Sequence, residues 1–283
     1  MQEPSPELRV LYEEARQYEA ARDHYNAVKL YKRIVKEARD WAPPLVRLGE
    51  IYKYRQEWKP ALYYNKKAVS LDAGNQSAWW NVAIAATAMK KGRLARNVWA
   101  KFGLSTDEPS LSPVSVRLYS QGQFEILWVS RLGPARGVVR NIPHPHSGRR
   151  YGDIVLIDNL VQGYHTSDAY RLPVYEELGL LKISHYRTFS CVLQSANSKD
   201  IKTLQQLCGD ENLGFEVWSS ASRAFASPYF GDTPEYYFHN FEPDSELLVA
   251  VAAPHREAAQ EVLDSWKVIS LKTYTDFKVH KVC

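Results

Sequence analysis

Ala27, Ala61 and Ala95 stand 34 residues apart. The same interval separates Leu11, Leu45 and Trp79, then Ala15, Gly49 and Ala83, then Tyr18, Tyr52 and Ala86. A period of this length marks a stacked repeat, because one such unit cannot bury its apolar face alone. Each unit holds two amphipathic runs parted by a polar break, at His24–Asn26, Gln56–Lys59 and Lys90–Arg93. Within each run the apolar or small residues recur at helical spacing. Gly49 and Ala61 are small where two antiparallel helices must approach closely, while Leu48, Tyr52 and Trp79 fill the space between successive pairs. The expectation is a solenoid of helical hairpins over residues 1–107.

The middle unit, Leu45 to Ala73, carries Leu48-Gly49, Tyr52, Ala61, Tyr64, Ala68 and a closing Ser70-Leu71-Asp72-Ala73. This pattern resembles the tetratricopeptide repeat (TPR) family, which usually has Pro where Ala73 stands. The first unit has Ala15 at the Gly position and Ile34 at the last Ala. The third keeps Trp79, Ala83, Ala95 and Trp99 but has Phe102 for the last small residue, a change suited to capping the stack or to docking the next domain. The resemblance covers roughly residues 8–105. It implies a groove, lined by the first helix of each pair, that binds peptides or proteins. Carried over by position, the groove shows Arg9, Tyr12, Arg16 and Glu19, then Val46, Arg47, Glu50, Lys53 and Tyr54, then Trp80, Asn81 and Ile84. Some family members grip a C-terminal carboxylate there. The matching positions read Tyr12, Arg16, Arg47, Ser77 and Asn81, and two of the five keep that chemistry.

Thr106 to Pro113 reads as a linker, rich in Ser and Pro. Short strands are predicted at Val114–Tyr119, Phe124–Arg131, Gly137–Ile142 and Asp153–Ile157, parted by turn residues. Residues 113–183 therefore read as a small β-rich module, a sheet or an open barrel. Residues 184–283 read as an α+β module. A strand at Arg187–Gln194 leads to a helix capped by Ser198 and running to about Cys208, then a strand at Gly214–Ser219. A second set follows an insertion: a strand at Leu247–Ala253, a helix at His255–Trp266, and one or two strands over Val268–His280. That order is compatible with a ferredoxin-like module.

Candidate chemistry is sparse. His144-Pro145-His146, with His165 nearby in sequence, lacks a third metal ligand at suitable spacing, and Pro143 and Pro145 favour a plain extended loop. Arg149, Arg150 and Tyr151 beside it, with Arg136 and Arg140, form a basic-aromatic patch on a β-turn rim. Cys191 sits on an alternating strand and reads as a buried structural thiol. Tyr229, Phe230, Tyr236, Tyr237, Phe238 and Phe241 crowd one stretch among Asp232, Glu235, Glu242, Asp244 and Glu246, a candidate binding loop. Phosphate-binding Gly-rich loops, HExxH and GxSxG are all absent. No cofactor and no metal is expected.

Charge divides unevenly. Residues 1–107 carry +7 and residues 108–283 carry −3, within a net charge of +4. The basic half could attract an acidic protein, a nucleic acid or the acidic half itself. The pI of about 8.8 lies below a nucleic-acid footprint, so nucleic acid is not the expected partner. Neither a signal peptide nor a membrane span is visible, and three unpaired cysteines suit a reducing, cytoplasmic setting. The expected function is non-catalytic protein binding. In plan, a repeat array joined to a motif-free α+β region resembles some bacterial immunity proteins, which implies occlusion of a secreted toxin. Two alternatives stand beside it: a scaffold or co-chaperone holding a peptide in the groove, and an enzyme with a site near His144, His146, Arg149 and Arg150.

Overall fold

The computed structural model describes residues 4–106, 113–167, 170–219, 235–237 and 246–281. The chain divides into two units, Met1–Thr106 and Asp107–Cys283.

The first unit is three helical hairpins: α1 (Pro6–Ala20) with α2 (His24–Glu37), α3 (Ala42–Tyr54) with α4 (Trp58–Leu71), and α5 (Gln76–Ala88) with α6 (Gly92–Lys101). These are the stacked pairs that the 34-residue period requires. The period also reaches the backbone. Arg22, Gln56 and Lys90, each between the helices of a pair, are left-handed, with φ of 61°, 58° and 56°. The first polar break falls at residues 21–23 rather than His24–Asn26, because Asp23 caps α2 by accepting from the Asn26 amide at 3.0 Å. The small residues do what the repeat asks of them. Ala15, Ala27, Ala61 and Ala83 are fully buried, and a Cβ on Gly49 would collide with the Asn65 side-chain amide. Helix α5 carries no charge, and Asn81 through Ala86 are all buried, as in an interior helix.

The second unit opens with a barrel. Strands β1 (Pro113–Ser120), β2 (Gln123–Gly133), β3 (Arg136–Val139), β4 (Ile154–Ser167) and β5 (Tyr170–Lys182) pair in the order β3-β2-β1-β5-β4, and β3 also pairs with β4. The ring is closed, where the sequence suggested an open barrel or a small sheet. Neighbours run antiparallel except β1 and β5, which are parallel. Val116, Leu118, Leu127, Val129, Val139, Val155 and Ile157 fill its core. Hairpin β4–β5 is much longer than Asp153–Ile157 predicts, because shifts in register let the strand continue past Val161 and Gly163. The third strand ends at Val139, not Ile142. The short strand β8 (Glu235–Tyr237) pairs parallel to β4.

A four-stranded sheet follows. Strands β6 (Arg187–Gln194), β7 (Gly214–Val217), β9 (Glu246–Ala253) and β10 (Thr273–His280) lie in the order β10-β6-β9-β7, all neighbours antiparallel. Helices α7 (Ser198–Asp210) and α8 (Arg256–Ser270) cover one face. Phe189, Cys191, Leu193, Leu247, Val249 and Val251 meet Leu204, Cys208, Val262, Leu263 and Trp266 there. Trp266 is fully buried and its indole N–H donates to the Asp200 carbonyl at 2.8 Å. Burial of a side chain of this size stabilises by about 2–3 kcal/mol. Two boundaries differ from expectation. Asn197, not Ser198, caps α7, since it forms a capping box with Asp200. Helix α8 runs four residues past Trp266 to Ser270, so the strand expected over Val268–His280 begins at Thr273. The aromatic-acidic stretch and most of the Thr106–Pro113 linker lie outside the described residues, as do the side chains of His165, Tyr236 and Tyr237.

Candidate functional site

Helices α1 and α3 bring together four of the side chains read as groove-lining, Tyr12, Glu19, Arg47 and Glu50. Arg47 lies on the half-exposed side of α3. Its Nε donates to Glu19 Oε2 at 3.0 Å, and its Nη2 donates to the other Glu19 oxygen. Nη1 donates to Glu50 Oε2 at 2.7 Å. The Tyr31 hydroxyl donates to Glu19 Oε2 at 2.9 Å. Tyr12 leans on this cluster, its ring 5.6 Å from Tyr31 and 5.0 Å from Trp41. Burial opposes the charge of Arg47, but the Glu19 hydrogen bond and the field of Glu50 outweigh it, so the guanidinium's pKa lies above its ordinary value. Burial likewise raises the Tyr12 and Tyr31 hydroxyls, with Glu19 adding to the effect on Tyr31. The result is a fixed, partly exposed charge cluster bordered by an aromatic ring.

The remaining groove candidates are used otherwise. Arg9 and Arg16 are exposed on α1, and Arg16 stands 3.7 Å from Glu13. Lys53 is buried, with its ammonium 4.3 Å from the centre of the half-exposed Tyr54 ring. Asn81 is buried. Trp80 is edge-on to Trp99 at 4.8 Å and to Phe102 at 4.9 Å, so it belongs to the packing of α5 against α6. Sequence reasoning missed Tyr31 and Trp41. Tyr31 shares its repeat position with Asn65 and Trp99, and that column of large or polar residues inside the stack was the available signal.

The second candidate patch is the loop between β3 and β4, and it is less free than a rim. The His144 amide donates to Glu125 Oε1 at 2.9 Å. The His144 ring stacks on His146 at 5.5 Å and leans on Trp218 at 5.1 Å. Trp218 is 5.4 Å from His280, whose Nε2 lies 2.7 Å from Ser190 Oγ. The Trp218 indole donates to the Ile142 carbonyl at 3.1 Å, and the Ile142 amide donates to Glu216 at 2.7 Å. Arg149 gives two hydrogen bonds to Glu177, at 2.9 and 3.1 Å. Burial pushes the Glu177 carboxyl above its ordinary value against the pull of Arg149. Asp153 accepts from the Arg150 amide at 2.8 Å and from the Ser184 amide at 2.7 Å. Ile142, Tyr151 and Trp218 pack with Ala250 and Ala252, on the sheet face away from α7 and α8. The loop therefore fastens the barrel to the sheet, and Arg149 serves an internal ion pair.

Cys191 and Cys208 are buried thiols pushed up to about 12 by desolvation. Among the described residues no group of three His, Cys, Asp or Glu side chains converges as a metal site would.

No protein-family model matches the chain, and no curated protein matches it. Among solved structures it is similar to the Sgt2 TPR domain from Aspergillus fumigatus, at 21% identity over 35% of this chain, with a TM-score of 0.32. The chain spans 65% of that domain's length. It is also similar to a hypothetical protein from Neisseria gonorrhoeae, at 14% identity over 61% of this chain and 94% of that one, with a TM-score of 0.28.

Proposed function

We propose that the chain is a non-catalytic protein-binding scaffold that receives its partner on the first-helix face of the repeats. The observation that carries this reading is the Glu19–Arg47–Glu50 cluster beside Tyr12. Its side chains are already ordered by mutual hydrogen bonds, so docking a partner costs little further side-chain entropy. Tyr and Arg are also the residue types that dominate binding energy at interfaces. A helical-hairpin stack supplies the stiff base that such a site needs. The non-catalytic part draws support from the nucleophile candidates. Thiols pushed up to about 12 stay protonated at neutral pH, and Ser190, although bonded to His280, is buried in mid-strand.

The narrower form of this reading is an immunity protein that occludes a cognate bacterial toxin, and it rests on the plan of the chain alone. For the last hundred residues we propose a ferredoxin-like module, on the strand order β10-β6-β9-β7 with two covering helices.

The test is affinity capture of the tagged full-length chain from native lysate, beside a Tyr12→Ala/Arg47→Ala double variant that melts as one folded species. One stoichiometric protein lost in the variant supports the reading, and its identity separates toxin from scaffold client. A partner retained equally by both overturns the first-helix face as the site.

A further inference from the structure

The second helices of the repeats carry a concentration of charge that packing does not explain. Helix α2 holds Lys29, Lys32, Arg33 and Lys36, α4 holds Lys59, Lys66 and Lys67, and α6 holds Arg93, Arg96 and Lys101. Every one of these side chains is exposed. Within the three helices the one acid is Glu37, which Arg33 engages at 3.1 Å; Asp23, Glu57 and Asp72 stand at the caps of α2 and α4. The first helices carry less of it: α1 has four acids to two cations, α3 has two cations to one acid, and α5 has no charge at all. An ordinary solvated helix face mixes both signs, since opposite charges three or four residues apart stabilise it and like charges destabilise it. Here the repeat period aligns cations instead. Arg33, Lys67 and Lys101 occupy equivalent positions in successive units, and Lys59 and Arg93 follow Tyr25 in another column. Self-repulsion of this kind is a cost that an oppositely charged partner relieves.

The geometry points to a docking surface, formed by α2, α4 and α6, for a protein partner with an acidic face. Two exposed rings lie within it, Tyr25 at 77% and Tyr63 at 52% exposure. They are the anchor type found at protein interfaces. Lys67 lies 4.8 Å over Tyr63, and the Tyr25 ring stays open. The pI of about 8.8 lies below a nucleic-acid footprint, which favours the carboxylates of an acidic protein as the counter-charge. This surface is distinct from the Glu19–Arg47–Glu50 cluster, so the inference survives or fails apart from the function proposed above.

The experiment uses the full-length chain and fluorescence anisotropy with labelled poly-L-glutamate, with duplex DNA and single-stranded RNA of similar charge as competing probes, at about 0.15 M salt. One variant carries Lys59→Glu, Lys66→Glu and Lys67→Glu on α4. A control makes the same change of charge elsewhere, with Lys199→Glu, Lys202→Glu and Lys267→Glu on α7 and α8. The expected result is a loss of poly-L-glutamate affinity of about tenfold or more in the α4 variant and about twofold or less in the control. Lys59→Gln/Lys66→Gln/Lys67→Gln, which keeps the helix and removes the charge, gives an intermediate loss. Equal losses in variant and control, or no binding by the unaltered chain, overturn the inference. Tighter binding of either nucleic acid than of poly-L-glutamate overturns the acidic-protein assignment.

Discussion

Arg47 clasps Glu19 across 28 residues, joining the middle of α3 to the end of α1 with two hydrogen bonds to one carboxylate. The same carboxylate holds the Tyr31 hydroxyl of α2. One half-buried acid thus ties three helices, and each of its partners depends on the other.

Arg47→Ala therefore leaves Glu19 and Tyr31 with a partly buried carboxylate that has lost its counter-charge. The expected cost is about 1–3 kcal/mol, because a buried polar group stripped of its partner pays its desolvation in full. Arg47→Lys recovers only part of it, since an ammonium cannot form the two-pronged contact. Urea unfolding of the three proteins checks both statements, and an unchanged Arg47→Ala midpoint contradicts the first.

Gly49 and Asn65 predict a sign reversal. Gly→Ala in a helix interior ordinarily stabilises by roughly 0.5–1 kcal/mol. Gly49→Ala instead drives a methyl into the Asn65 amide, whose Nδ2 donates to the Ala61 carbonyl at 2.9 Å. The expected loss is about 1–3 kcal/mol. In Asn65→Ala the space opens, so Gly49→Ala becomes neutral or stabilising there. A double-mutant cycle measures the coupling, and additive effects sink the account.

The loops inside the hairpins offer a stabilising change. Gln56 holds φ at 58°, where a side chain is crowded and glycine is at ease. Gln56→Gly should raise stability by about 0.5–1 kcal/mol, and a β-branched Gln56→Val should lower it by at least as much. Arg22→Gly and Lys90→Gly should behave alike, because the repeat places all three in one conformation. Thermal melts of the single variants decide it.

His280 gives a pH signature. Burial, with Lys278 adding its charge, holds the imidazole below its ordinary value of 6.5. The unfolded chain then takes up a proton first as pH falls. Stability is complete above 6.5 and is lost on acidification through the lower folded value. His280→Gln, which still reaches Ser190, should flatten this part of the profile between about pH 7 and pH 5. An unchanged slope assigns the loss to other groups.

The repeat was legible because close helix approach demands small residues at fixed positions, and Ala27, Ala61 and Ala95 supply them. The left-handed loop residues were not, since Arg22, Gln56 and Lys90 stand where glycine would have announced the turn. The full length of hairpin β4–β5 is hidden in the sequence because its changes of register interrupt the simple alternation that marks a strand. Among the residues that the family resemblance places in the groove, Tyr12, Glu19, Arg47 and Glu50 gather in one partly exposed cluster. The resemblance misjudged Lys53 and Asn81, whose burial depends on packing that no single repeat contains. The loop around His144 and Arg149 read as a solvated rim because its partners, Glu125, Glu177 and Glu216, are distant in sequence.

The barrel closes with an odd number of strands, so β1 and β5 run side by side in one direction. The chain consequently enters at Pro113 on one end of the ring and leaves at Lys182 on the other. Tension between those two points runs along the strands. It loads the β1–β5 hydrogen bonds in shear, all at once, instead of peeling them open singly. Arg117, which donates to Glu176 at 2.5 Å, spans that same seam. Stretching the chain from its two sides would meet resistance at this seam before the strands could slide.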